Sequence, residues 1–188
     1  MKTITSEYLG TINACQDART AFAEKFPKGA PVRTVFAALL KGNKLDWANW
    51  LVARLLNSKD RIRYAIYAAE QVIEIYEKKY PDDTRPRKAI EAAKAVLKIN
   101  NKANRDAANA ASAAVYAAAY DANAAYAAYA AASAAYAAAN AANAAYAAYD
   151  AANATNAAYA AANAAYAAKD EMKKKIILYG LKLLKVKP

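Results

Sequence analysis

Apolar residues recur every three or four positions through the first hundred residues, which is the spacing of one face of an α-helix. The segment between Pro31 and Gly42 shows it most clearly, because proline suits the first turn of a helix and glycine suits its end. Its apolar positions are Val32, Val35, Phe36, Leu39 and Leu40. No stretch alternates apolar and polar residues for long enough to predict a strand.

The same spacing predicts four more helices before residue 102. In chain order, one opens at the capping-box-like Asn13–Gln16, one carries Trp47 and Trp50, a long one runs from Ser58 to Pro81, and one starts at Asp83 or Thr84 with Pro86 in its first turn. Their connections are short, so we expect neighbouring helices to pack as antiparallel pairs.

The second half of the chain has a different pattern. Between Ala103 and Ala168, 41 of the 66 residues are alanine and nine are tyrosine, with no glycine or proline. Alanine loses no side-chain entropy in a helix, so this tract is predicted to be helical. Disorder is disfavoured because the tract is rich in an aromatic residue and poor in charge.

A ten-residue repeat runs through this tract. Tyrosine occupies one phase of it at positions 116, 126, 136, 146 and 166, and Asn156 takes the remaining slot. Ten residues turn through about 1000° on a helix, roughly 80° short of three turns, so a straight helix would wind its tyrosines around the axis. We therefore predict three helices, broken near Tyr120–Asn123 and Tyr149–Asn153, where Asp and Asn can cap a new helix. The alternative is one rod about 100 Å long.

The basic segment 173–185 is amphipathic, with Ile177, Leu181 and Leu184 on one side. We interpret it as the last helix closing the core; lying on a membrane or gripping a partner is the alternative. The predicted fold is thus all-α: a two-layer bundle of antiparallel helix pairs with an alanine- and tyrosine-rich C-terminal layer. Residues 1–102 and 103–188 form its two halves, co-folded as one domain.

Most tyrosines of the tract are interpreted as packing residues, whose hydroxyls reach the rim of the alanine faces. Those that point outward are candidates for binding a protein partner, because tyrosine offers contact area at low entropy cost. The candidate residues are Tyr116, Tyr126, Tyr129, Tyr136, Tyr146, Tyr149 and Tyr159.

The net charge is +11, and eight of these excess positive charges fall in residues 1–102. A positive surface favours an acidic protein partner or a nucleic acid. Single strands stack on tyrosines beside basic residues, but here the charge is separated from the tyrosines. A protein partner is therefore the first hypothesis and nucleic-acid binding the second.

Composition also restricts the chemistry. There is no histidine and only one cysteine, so ordinary zinc and haem sites and histidine-dependent triads are excluded. We expect no cofactor, no metal and no catalysis, and we interpret the adjacent Asp82 and Asp83 as helix caps. The first thirty residues contain Glu7, Asp17 and Glu24 and no apolar run, so we expect no signal peptide. With the single cysteine and the lack of a long apolar run, this predicts a cytoplasmic protein with no membrane span.

The segment Tyr80–Ala93, with Asp83, Arg85 and Pro86, resembles a family of immunity proteins (immunity-five-like) found near bacterial polymorphic toxins and in phage genomes. The resemblance extends to Ala14–Ala18, to the segment carrying Trp47 and Trp50, and to Ile177–Leu181. It implies an all-helical, non-catalytic protein that neutralises a toxin by binding it, or a phage-encoded relative that blocks a host defence factor. The residues of this family motif are expected to be structural.

Overall fold

The computed structural model describes residues 3–116, 122–139, 147–165 and 168–187. Over these ranges the chain is all-α, as predicted. Its helices, in chain order, are α1 (Ser6–Thr11), α2 (Gln16–Lys25), α3 (Val32–Lys41), α4 (Leu45–Leu55), α5 (Ser58–Glu70), α6 (Ile73–Lys79), α7 (Arg85–Lys98), α8 (Lys102–Tyr116), α9 (Ala122–Ala139), α10 (Ala147–Ala164) and α11 (Lys169–Leu183).

A two-stranded antiparallel ribbon joins the N-terminus to the segment before α3. Strand β1 (Thr3–Ile4) pairs with β2 (Ala30–Pro31), with Ile4 opposite Ala30. The pattern of the sequence did not predict this ribbon, because two residues per strand are too few to show an alternation. Ile4 and Ala30 are both buried, so the ribbon anchors the chain terminus on the core.

Two predicted helix boundaries in the first half were wrong. The capping box at Asn13 does not form: Asn13 has a φ of 58°, and α2 begins at Gln16 with no side-chain cap. The long helix after residue 58 is two helices, α5 and α6. Val72 lies between them with non-helical dihedral angles, and both Val72 and Ile73 are buried. Burying these two β-branched residues outweighs continuing a helix for which they have only moderate propensity.

The alanine–tyrosine tract forms three helices over its described residues, and a single rod is excluded. Ser112 Oγ on α8 donates a 2.9 Å hydrogen bond to the Ala132 carbonyl on α9, whereas 20 residues on one helix would separate these groups by about 30 Å. The predicted break at 149–153 was wrong, because α10 runs through it; alanine's helix propensity outweighs the capping tendency of Asp150 and Asn153.

Helix α9 is the centre of the bundle. It packs between α8 and α10 in one layer and against α5, α6 and α7 in the other. Its buried positions from Ala127 to Ala138 are alanines apart from Ser133. Small side chains let helices approach closely. The alanines of α9 therefore supply the surface against which the neighbouring helices pack.

Helix α11 closes the bundle against α4, α5 and α10, as its apolar seam predicted. Ile177 and Leu181 are buried and Leu184 is half-buried. The Tyr67 and Tyr179 rings stack with centroids 4.0 Å apart, which joins α5 to α11.

Candidate partner-binding surface

Tyr126 and Tyr129 are the exposed residues among the described side chains of α9. Each is 40% exposed, while the positions between and after them are buried up to Tyr136, which is half-buried. On a helical projection these three tyrosines lie within about 80° of one another. The central helix of the bundle therefore reaches the surface along one tyrosine-bearing edge, which we call the tyrosine edge (Tyr126, Tyr129 and Tyr136).

The other candidate tyrosines divide into two groups. Tyr146 lies outside the described residues, and nothing is described of the Tyr116 and Tyr149 side chains, although their backbones belong to α8 and α10. Tyr159 is half-buried on α10 and does not belong to the tyrosine edge. The Lys173 ammonium lies 5.6 Å from its ring centroid, and burial, with the charge of Asp46, raises the pKa of Tyr159 to about 12.

The family motif forms a hydrogen-bonded turn between α6 and α7. The Arg85 guanidinium donates to both carboxylate oxygens of Asp83, at 2.8 and 2.7 Å, and the Arg85 backbone N–H donates to Asp83 Oδ1 at 3.0 Å. The Tyr76 hydroxyl donates to Asp83 Oδ2 at 2.5 Å. Asp83 therefore supplies the acceptor for the start of α7, and buried Pro86 follows in its first turn.

The hydrogen bonds of this turn shift the pKa values of Asp83 and Tyr76. The hydrogen bonds from Arg85 hold the pKa of the Asp83 carboxyl well below its usual value, and the Tyr76 hydroxyl adds to the effect. Burial, and then the hydrogen bond to Asp83, raises the pKa of Tyr76 to about 12. A carboxylate with this many donors is a strong anchor and a weak base.

A second ion pair fixes the same two helices. The Arg87 Nε–H donates to Glu77 Oε1 at 2.6 Å, and a terminal guanidinium N–H of Arg87 donates to Glu77 Oε2 at 2.5 Å. This two-pronged hydrogen bonding lowers the pKa of Glu77 and raises that of Arg87. The two pairs tie α7 to both the helix and the loop that precede it.

Trp47 and Trp50 are half-buried on α4, and a basic side chain lies over the ring of each. The Lys44 ammonium lies 5.1 Å from the Trp47 ring centroid, and the Arg54 guanidinium lies 5.2 Å from that of Trp50. Both tryptophans line an apolar cavity of about 440 Å³ between α2, α3 and α4, with Tyr159 of α10 completing the wall. Sequence reasoning missed this cavity, because its wall combines segments more than a hundred residues apart.

A buried polar network was also missed. The Tyr64 hydroxyl on α5 donates to Asn49 Oδ1 on α4 at 2.7 Å, and Asn49 Nδ2 donates to the Thr155 carbonyl on α10 at 3.3 Å. Burial raises the pKa of the Tyr64 phenol. The only signal in the sequence was a polar residue, Asn49, on an otherwise apolar helix face.

In the part of the chain that the structure describes, no three histidine, cysteine, aspartate or glutamate residues are grouped so as to hold a metal ion. None of the helices in the described ranges combines the length and apolar character needed to cross a membrane.

The architecture defines an all-α bundle with an alanine-packed centre and an exposed tyrosine edge. Residues 54–181 match the model of the Imm-5 like putative immunity protein family. They include helices α7 to α10 and the hydrogen-bonded turn between α6 and α7, which we call the Asp83 turn. The chain belongs to this family, which confirms the resemblance carried by the Tyr80–Ala93 segment.

The first part of the chain matches a different family model. Residues 1–58 match the YdhT N-terminal domain. Ala14–Ala18 and the two tryptophans, which the resemblance assigned to the immunity family, lie in this N-terminal match. No curated protein and no solved structure matches the chain.

Proposed function

We propose that the protein is an immunity-type inhibitor that neutralises a toxin, or a host defence factor, by binding it directly and without catalysis. Membership of the immunity family supports a protein partner in general. The observation that carries the proposal further is the exposure of Tyr126 and Tyr129 on a helix whose other described side chains are buried or half-buried.

The tyrosine edge has the properties of a binding hot spot. A tyrosine that is partly exposed in the free protein still has apolar ring area to bury in an interface. Because α9 is held on both sides by alanine-packed helices, its tyrosines are presented from a rigid support. Such preorganisation lowers the entropy cost of association.

The positive charge of the protein predicts a second property of the partner. A net charge of +11 favours association with an acidic surface and speeds encounter at low ionic strength. We therefore expect a partner with an acidic face in addition to a groove or patch that accepts the tyrosines.

The experiment combines recovery with neutralisation. The full-length protein is used as bait in its native host at low salt, beside the Tyr126→Ala/Tyr129→Ala double variant. We expect a stoichiometric protein on the wild type that is absent or depleted on the double variant. That protein, expressed alone, should arrest growth, and co-expression of the wild-type inhibitor should restore it.

The toxin form of the proposal is wrong if the recovered protein is harmless on its own, and either form is wrong if the double variant neutralises the partner as well as the wild type. Leu178→Ala is the matched control, since Leu178 is an exposed apolar residue (47%) on another helix, α11. This variant should recover and neutralise the partner like the wild type.

Nucleic-acid binding is the second candidate, because of the same positive charge. It predicts a gel shift with single- or double-stranded DNA or RNA at low salt, weakening steeply as salt is raised. A shift that persists in the double variant, together with recovery of no protein partner, would favour this candidate over the first.

A further inference from the structure

The apolar cavity beneath α4 is separate from the tyrosine edge and has the construction of a small-molecule site. Its walls carry Phe22, Phe26, Trp47 and Trp50, and its volume is about 440 Å³. Sites for small ligands typically enclose about 300–1,000 Å³ and are lined by apolar and aromatic side chains with a few placed polar groups.

The charged side chains that line this cavity are more often basic than acidic. Among the described residues, Lys25 and Lys44 line it, and Asp46 is its one acidic residue. Asp46 is already paired, because Lys173 Nζ lies 2.5 Å from its Oδ1. In the described ranges Lys25 and Lys44 form no ion pair, and the Lys44 ammonium lies over the Trp47 ring. The rim is therefore left cationic.

We propose that this cavity binds a small amphipathic carboxylate, such as a medium-chain fatty acid. The apolar chain would lie against the two tryptophans and the two phenylalanines. The carboxylate would lie at the rim with Lys25 and Lys44 and supply both lysines with an anionic partner. A neutral ligand of the same shape gains only the apolar contacts, and a cationic one meets repulsion.

The chain carries its own reporter for this site. Trp47 and Trp50 are its only two tryptophans, and both line the cavity, so tryptophan emission reports on this region alone. We suggest titrating the full-length protein with decanoate, decanol and decyltrimethylammonium below their micelle concentrations. Decanoate should change the emission saturably, decanol should bind about fivefold more weakly, in the range expected for an exposed ion pair, and the cation should bind most weakly.

Two sets of variants locate the ligand. Ala38, on α3, lines the cavity and is half-buried, so Ala38→Phe should fill it and abolish the response. Its control is Ala37→Phe, an exposed neighbour outside the cavity, which should behave like the wild type. The Lys25→Gln/Lys44→Gln double variant should bind decanoate no more tightly than decanol, whereas the Lys28→Gln/Lys41→Gln control should keep the preference.

The single cysteine gives an independent measurement. Cys15 is exposed and lines the same cavity, so saturating decanoate should slow its alkylation by iodoacetamide. Equal binding of decanoate and decanol to the wild type would overturn the anionic specificity. Unchanged alkylation at saturation, or full decanoate binding by a folded Ala38→Phe variant, would place the ligand elsewhere and overturn the site. If Ala38→Phe does not fold, the lysine variants and Cys15 still decide.

Discussion

The Tyr64 hydroxyl donates a 2.7 Å hydrogen bond to Asn49 Oδ1 in the core, where neither side chain is more than 3% exposed. Asn49 belongs to the segment that matches the YdhT N-terminal domain, and Tyr64 to the segment that matches the immunity family. Because Asn49 also donates to Thr155 on α10, one buried amide connects the N-terminal match to two helices of the immunity match.

Replacing Tyr64 by Phe should lower the free energy of unfolding by about 1–3 kcal/mol, the cost of leaving a buried acceptor without its donor. Urea unfolding followed by circular dichroism measures the change. Tyr126→Phe removes a hydroxyl from an exposed ring and should change stability by less than about 0.5 kcal/mol. Equal stability of the two variants would mean that Asn49 finds another donor.

The Asp83 turn should be structural, and its contribution should depend on pH. Asp83→Ala removes an acceptor for the first turn of α7 and the partner of Tyr76 and Arg85, so we expect a loss of about 1–3 kcal/mol at pH 7. Partner binding by the folded variant should be unchanged. Asp82→Ala, an exposed neighbour, should cost less than about 0.5 kcal/mol.

The sign of the pH dependence follows from the lowered pKa of Asp83. A carboxyl whose pKa is lower in the folded state stabilises the fold above its unfolded pKa and loses this contribution as the pH falls. The stability difference between wild type and Asp83→Ala should therefore be full at pH 7 and smaller at pH 3, by urea unfolding at both values. A constant difference would show that the charge of Asp83 does not contribute.

At Gly180, α11 packs closely against α4 and α5. A Cβ at this position would collide with Val52 Cγ1 and lie 2.8 Å from Tyr64 Cε2. Gly180→Ala should therefore destabilise the protein by about 1–3 kcal/mol through overpacking, seen as a lower melting temperature.

The matched control is Gly10→Ala, also within a helix, where the nearest atom to a new Cβ is 3.8 Å away on the flexible Arg19 side chain. This variant should be as stable as the wild type or slightly more stable, because alanine has the higher helix propensity. A melting temperature for Gly180→Ala at or above that of Gly10→Ala would contradict the close packing of α11.

Local patterns predicted the all-α class, the helical tract and the closing role of α11, because helix propensity and apolar spacing act within a few residues. They failed at Val72, where tertiary burial overrides continuity, and at Tyr149–Asn153, where alanine propensity overrides capping. The exposure of Tyr126 and Tyr129 depends on how α9 sits among five other helices. The cavity that Trp47 and Tyr159 line likewise depends on the tertiary fold. Local sequence patterns alone therefore cannot locate the tyrosine edge or the cavity.

The central claim is that the tyrosine edge binds the partner that the protein neutralises. The most direct test is titration calorimetry of the purified partner with the wild type and with Tyr126→Ala/Tyr129→Ala, using Leu178→Ala as the control. We predict that the double variant, folded and equally stable, binds about 100-fold more weakly or worse, as expected for removal of two hot-spot tyrosines, while the control keeps the wild-type Kd. A double variant with the wild-type Kd would contradict the account.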